Sequence, residues 1–187
     1  MTHFKTYASA GVIAFAIGTL LLWENVFVTF SWFSVLAIIV MMTISYVLTQ
    51  VSLLPTQTDT DNLAWYAFLN TVVLTIGFGM AVLPGIYYLT RYSQSTWTQY
   101  RYGRRYGTAK LLRYTGQQTR QASPYYLLQF VQLVIIEIAV FLVFSLVPMI
   151  TGHWVLAWFL SVPACYYGLY YVVQDTYHAW LDFEALH

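Results

Sequence analysis

Long apolar stretches separated by short polar ones dominate the pattern of this chain. Five of them are about as long as a helix that crosses the membrane, since the roughly 30 Å of hydrocarbon takes about 20 apolar residues. They lie near residues 7–23, 26–51, 63–90, 124–150 and 153–173. The pattern predicts an all-α fold, a polytopic bundle of about five transmembrane helices forming one membrane domain over residues 1–187.

Short polar segments mark where the predicted spans end. Glu24 and Asn25 separate the first two stretches, and a loop with Asp59 and Asp61 separates the second from the third. Only a turn at 151–153 separates the last two. The connection from 91 to 123 is much longer, and structureless loops beyond about 12–15 residues are uncommon unless they serve a function.

Composition also indicates a membrane protein. Hydrophobic residues make up 59% of the 187 positions and charged residues only 8%, whereas soluble domains carry about 25% charged residues. The net charge of +1 gives no reason to expect a nucleic-acid partner. The single Cys165 has no second cysteine for a disulfide, so we expect a small buried side chain there.

Positive charge is concentrated in the long connection. The chain has eight Lys and Arg residues, and all but Lys5 lie in this segment: Arg91, Arg101, Arg104, Arg105, Lys110, Arg113 and Arg120. Because basic loops stay on the cytoplasmic side, we expect this loop and the C-terminus to be cytoplasmic. With five spans the N-terminus is then expected outside, and we expect the protein in a bacterial plasma membrane.

The basic loop itself carries helix signals. Residues 107–115 have good helix formers, and Gly116 is suited to end a short helix there. Ser123 followed by Pro124 is the pattern of an N-cap and a first helical turn. The sequence thus predicts a short helix near the membrane face, then a separate start of the fourth span.

The segment GTAKLLRYTGQQTRQ, residues 107–121, resembles the cytoplasmic coupling segment of ABC exporter permeases. The positions that match the MacB/FtsX-like class are Leu111, Leu112, Arg113 and Gly116, with Arg120 near its trailing basic residues. Those that match the ABC-2-like class are Gly107, Thr108, Leu111 and Leu112. The resemblance covers roughly residues 63–150 and leaves both classes open, and the Glu of both patterns is absent from this loop.

The resemblance implies a permease-like subunit of a transport complex. This chain has no GxxxxGK[ST] phosphate loop, so a separate ATP-binding subunit and another membrane chain are implied as partners. The residues that would dock on the ATP-binding subunit are Arg101, Arg104, Arg105, Lys110, Leu111, Leu112, Arg113, Gly116 and Arg120. Apart from the resemblance, a basic segment at a membrane surface is expected to contact anionic lipid.

Glu137 is the candidate for an internal site, because it lies near the middle of the fourth apolar stretch. A carboxyl group inside the membrane is costly and usually faces a bundle interior or a cavity. Gln129 lies two turns earlier on nearly the same helix face, whereas Gln132 lies off it. With Asn70 in the third stretch, these residues are candidates for a substrate or proton pathway. The alternative is a Glu137 that only joins helices by hydrogen bonds.

No known catalytic, metal or cofactor motif is present in the sequence, so we expect neither a cofactor nor catalysis by this chain. Two functions of different classes remain open. The first is the permease-like transport subunit. The second is a non-catalytic accessory, assembly or regulatory subunit of a larger membrane complex, and a lipid-processing enzyme is a third alternative without a supporting polar constellation.

Overall fold

The computed structural model describes residues 2–54, 60–80, 82–92, 94–102 and 108–185. Of the described residues 94% are helical and none lies in a strand, which confirms the all-α fold. The helices in this part of the chain are α1 (Thr2–Phe27), α2 (Trp32–Ser52), α3 (Thr60–Met80), α4 (Val82–Tyr92), α5 (Ser95–Tyr102), α6 (Thr108–Thr151) and α7 (Trp154–Ala185).

Four of these helices are long and apolar enough to cross a membrane, which makes the chain a multi-pass membrane protein. The spanning segments are Thr6–Phe27, Trp32–Ser52, Pro124–Thr151 and Trp154–Asp182. The polar pair Glu24 and Asn25 does not end α1, which continues to Phe27. Instead the Asn25 side chain accepts a hydrogen bond of 2.8 Å from the backbone N–H of Ser31, so it supports the turn into α2.

The third apolar stretch does not form one helix. It is divided into α3 and α4, which fold back on each other: Gly77 faces Tyr88, and Gly85 faces Phe78. Pro84 lies in the first turn of α4, where its missing N–H costs no helical hydrogen bond. The apolar part of α3, Ala67–Gly79, has a length typical of a re-entrant segment. The pair is therefore a helical hairpin.

The predicted break before the fourth span is wrong. α6 is continuous from Thr108 to Thr151, so Gly116 does not end a helix and Pro124 lies inside one. Contacts with the end of α4 explain the difference. Arg91 Nη1 donates to the Gly116 carbonyl at 2.7 Å, and the Thr119 hydroxyl donates to the Arg91 carbonyl at 2.7 Å. These bonds tie the helical segment before Pro124 to α4, and α6 continues through Pro124 although this residue lacks a backbone N–H.

Close packing of α1 against α2 and α7 fixes the direction of these helices. The Ser45 hydroxyl donates to the Gly11 carbonyl, while Gly18 faces Met41 and Met42. α1 and α2 are therefore antiparallel, and small residues let their backbones approach.

The indole of Trp158 bonds the Ala16 carbonyl, and the Tyr166 hydroxyl lies against Gly11, so α7 is also antiparallel to α1. The start of α1 and the end of α7 thus lie at the same end of the bundle, whereas the sequence analysis placed the two termini on opposite sides.

The short helix α5 is packed into that same end, which we call the α5 end. Trp97 is fully buried, and its indole N–H donates to the Gln50 carbonyl at 3.1 Å. Its ring also contacts Tyr177 and Trp180 of α7, with centroid distances of 5.1 and 6.0 Å. The end of α2 and the end of α7 are therefore joined through one side chain.

We predict that Gly77→Val destabilises the hairpin. A Cβ at Gly77 would lie 2.7 Å from the Tyr88 ring, so the variant should lose about 1–3 kcal/mol of unfolding free energy. Denaturant unfolding of the purified protein in detergent measures this loss. Gly79→Val is the matched control, because nothing lies within 4 Å of that position, and its change should stay within about 0.5 kcal/mol. Equal losses in both variants would contradict the hairpin packing.

Candidate functional site around Glu137

Glu137 lies on α6 where this helix meets α7. Its side chain is partly buried, and the thiol of Cys165 on α7 lies beside the carboxyl group. The carboxyl oxygen Oε1 is buried and has no hydrogen-bond partner among the described residues. A buried oxygen without a partner costs free energy, so its presence calls for an explanation beyond packing.

Two cavities meet at Glu137. The larger has a volume of about 360 Å³ and is lined by residues of α1, α2, α3, α4, α6 and α7. The smaller has about 280 Å³ and lies between α1, α6 and α7. Glu137, Leu22 and Ile138 line both. The larger volume is within the range of roughly 300–1,000 Å³ that is usual for small-molecule sites.

The cavities exist because α6 stands away from α1 and α2. α6 packs along α7 and, toward the α5 end, against α4 and α5. Beyond Glu137, the ring of Phe141 contacts Trp23 of α1 at a centroid distance of 4.7 Å and closes the smaller cavity there. Side chains of several helices therefore bound the space on either side of Glu137. The space itself results from the separation of α6 from α1 and α2.

The walls of the larger cavity are almost entirely apolar. Apart from Glu137, the polar side chains among its described lining residues are Thr43 and Tyr46, and the Thr43 hydroxyl is already bonded to that of Thr75 at 2.8 Å. A strongly polar solute would lose its water there without gaining enough hydrogen bonds. The geometry therefore suits an apolar molecule that makes one polar contact.

Gln129 lies on the same helix as Glu137, but its side chain contacts a different acid. Its amide donates to Asp175 at 2.5 Å and to the Tyr125 hydroxyl at 3.0 Å, and Tyr125 donates to the same carboxylate at 2.9 Å. Gln129 is only 8% exposed. Sequence reasoning missed this cluster, although Asp175 is visible in the sequence as an acid directly after an apolar Tyr-rich stretch.

A narrow gap of about 20 Å³ lies between this cluster and the larger cavity. Gln129 lines the gap, and Tyr46, Phe130 and Leu133 line both the gap and the cavity. The gap is large enough for about one water molecule. The structure therefore brings Gln129 and Glu137 to the same side of α6, facing adjoining spaces.

Asn70 does not join this site. It is buried at the α5 end, where its amide donates to Thr96 at 2.7 Å and its carbonyl oxygen accepts from Ser95 at 2.7 Å. Thr96 in turn donates to the Gln50 side chain at 2.9 Å. Sequence reasoning missed this network because the segment 94–99 carries no charge, although its run of hydroxyl and amide side chains was visible.

The basic residues of the long connection are distributed over α4, α5, α6 and the chain between α5 and α6. Arg104 and Arg105 lie outside the described residues, and so do the side chains of Leu111 and Leu112. Arg101 is exposed on α5 with its guanidinium 5.9 Å from the Trp180 ring. The remaining docking candidates lie on α6: Lys110, Arg113 and Arg120 are exposed, and Gly116 accepts from Arg91.

No group of three or more His, Cys, Asp or Glu side chains within the described part of the chain could hold a metal ion. No protein-family model, curated protein or solved structure matches the chain. The features of this chain that bear on its function are therefore the cavities and the carboxyl group at Glu137.

We predict that Asn70→Ala weakens the α5 end. The variant removes two buried hydrogen bonds, to Ser95 and Thr96, and should cost about 1–3 kcal/mol of unfolding free energy. Denaturant unfolding in detergent measures the change. Thr71→Ala is the control, since Thr71 bonds only the Ala67 carbonyl of its own helix and should change stability by less than about 0.5 kcal/mol. A loss in Asn70→Ala no larger than that of the control would contradict the network.

Proposed function

We propose that this chain is a membrane-embedded, permease-like subunit of a transport complex, and that it receives an apolar, membrane-dissolved molecule beside Glu137. The observation that carries this proposal is the pair of apolar cavities that meet at that carboxyl group. The two cavities offer space for a molecule between transmembrane helices, and the ionisable groups among their described lining residues are Glu137, Tyr46 and Cys165. An intramembrane carboxylate is a marker of substrate or ion sites.

The position of α6 gives such a molecule a route from the bilayer. No residue of the most apolar part of the α6 span is buried, so this helix stands at the edge of the bundle. The larger cavity is an open cleft, lined along α6 by Phe130, Leu133 and Val134. A molecule dissolved in lipid can therefore reach Glu137 between helices without crossing the aqueous phase.

We further infer that the α5 end faces the cytoplasm. The exposed basic residues Arg101, Lys110, Arg113 and Arg120 are on helices of that end, and basic segments are retained inside. Both the start of α1 and the end of α7 then lie on the cytoplasmic side. An ATP-binding subunit, with another membrane chain, would approach the basic residues from this side, and anionic lipid headgroups are the other expected contact.

We predict that dicyclohexylcarbodiimide, which dissolves in the bilayer, labels Glu137. The carboxylic O–H adds across a C=N bond of the reagent, so the product keeps all atoms of both molecules. Peptide mass spectrometry of the protein in membranes should locate the added mass on Glu137. Glu137→Gln should abolish this label, whereas Asp175→Asn, at the polar cluster outside the cavity, should keep it. Absence of label at Glu137, or equal labelling by a water-soluble carbodiimide, would contradict an apolar route to this site.

The second candidate function is that of an accessory subunit, and the exposed α6 span favours it. Large apolar side chains on that span, such as Leu142 at 61% exposed and Val143 at 63%, are free to pack against a helix of another protein. Purification from the native host in mild detergent, with mass spectrometry of the co-purifying chains, separates the two candidates. We expect a stoichiometric ATP-binding subunit. A large complex without one would favour the accessory role.

A further inference from the structure

We propose that the molecule received beside Glu137 is an amphiphilic amine, bound in its protonated ammonium form with its apolar body in the larger cavity. This inference rests on the proposed function, because it requires the cavities to be a binding site. It adds the chemical class of the substrate, which follows from the charge, the aromatic walls and the apolar lining of the site.

The charge of the site favours a cationic ligand. Among the residues that line the two cavities, Glu137 is the only acidic side chain, and none is Lys, Arg or His. An uncompensated carboxylate in such surroundings is costly unless a positive charge or a proton joins it. The described lining residues supply no basic side chain there, so a positive charge beside the carboxylate, other than a proton, comes from the ligand. The buried oxygen Oε1, which has no partner, is the acceptor that an ammonium N–H would fill after a rotation of the side chain.

The walls add a second feature that favours ammonium. Phe15, Phe78 and Phe130 line the larger cavity together with Tyr46, and the rings of Phe78 and Phe130 are 6.4 Å apart between centroids. Aromatic faces attract cations through their quadrupole, and they do so most strongly where water is excluded. A site with one carboxylate and several aromatic rings therefore selects an ammonium group over a hydroxyl or an anionic headgroup.

The remaining lining fits the body of an amphiphile. Leu74, Leu89, Leu133 and Leu169 surround the larger cavity and offer no hydrogen bonds. An alkyl or aryl group gains free energy by burial there, whereas a second polar group would lose its hydration. The expected ligand thus has a single ammonium head and an apolar body.

A proton and the ammonium compete for the same oxygen atoms. When the carboxylate binds a proton from water, its charge is lost and the ammonium is no longer attracted, so binding should weaken as the pH falls. The other titratable groups facing the site are Cys165 from α7 and Tyr46 from α2. α1 contributes only uncharged, non-titrating lining, and so do the described α3 and α4 residues.

The test uses two fluorescent probes with the same alkyl tail, one ending in a primary amine and one in an alcohol. Binding to the full-length protein is measured in nanodiscs of zwitterionic lipid, with empty nanodiscs as the baseline. We expect the amine to bind about tenfold more tightly than the alcohol, as a charge-assisted contact in a dry site requires. This preference should disappear in Glu137→Gln and decrease on acidification.

Two further variants make the test specific. Gln132→Leu changes an exposed polar residue on the same helix and should retain the full preference for the amine. Phe130→Leu keeps the carboxylate but removes one aromatic ring from the cavity wall. It should weaken the binding of the amine probe and leave the binding of the alcohol probe nearly unchanged. If Glu137→Gln fails to fold, Phe130→Leu still tests the preference for the amine probe.

The outcomes separate this inference from the proposed function. Equal binding of both probes, with no effect of Glu137→Gln, would overturn the inference that the ligand is an amine. The cavity would remain a binding site for apolar molecules. Failure of both probes to bind, together with no carbodiimide label at Glu137, would overturn the cavity as a binding site altogether. A preference for the amine that persists in Glu137→Gln would show that another group attracts it and would also overturn the inference.

Discussion

The contact of Trp97 with α2 and α7 is the constraint on which the arrangement of the bundle depends. Its indole bonds the backbone at Gln50 and its ring lies against Tyr177 and Trp180, so three helices are joined at one end. The hydroxyl and amide side chains around Asn70 reinforce the same junction. Because α6 is held there by α4 and α5 but stands away from α1 and α2 near Glu137, the cavities open beyond the junction.

Much of the membrane architecture could be predicted from the sequence, because spans depend on local apolar length. The helices around 7–23, 26–51, 124–150 and 153–173 are all present. The local rules failed where tertiary contacts opposed them. Gly116 and Pro124 are ordinary signals for helix ends, yet Arg91 bonds hold α6 continuous through this region. In the third stretch, length alone could not distinguish a span from a hairpin that turns back between α3 and α4.

The candidate site was predictable only in part. Glu137 could be singled out because an acid within an apolar helix is rare, and Gln129 could be placed beside it from helical spacing. The cavities could not be predicted, since they arise from the distance between α6 and α1, which no local pattern encodes. Asn70 was grouped with Glu137 because both are polar residues in apolar stretches, but the hairpin carries Asn70 to the α5 end. Asp175 was missed because its partner Gln129 is 46 positions away.

The hairpin of α3 and α4 also determines how much of the chain lies at each end of the bundle. Since the hairpin returns to the end from which it starts, α5 and the start of α6 lie at that end, together with the start of α1 and the end of α7. Among the described residues, the opposite end has the connections at 28–31 and 152–153. A receptor, protease or antibody approaching from there meets these two turns, whereas the α5 end offers the larger part of the described extramembrane surface.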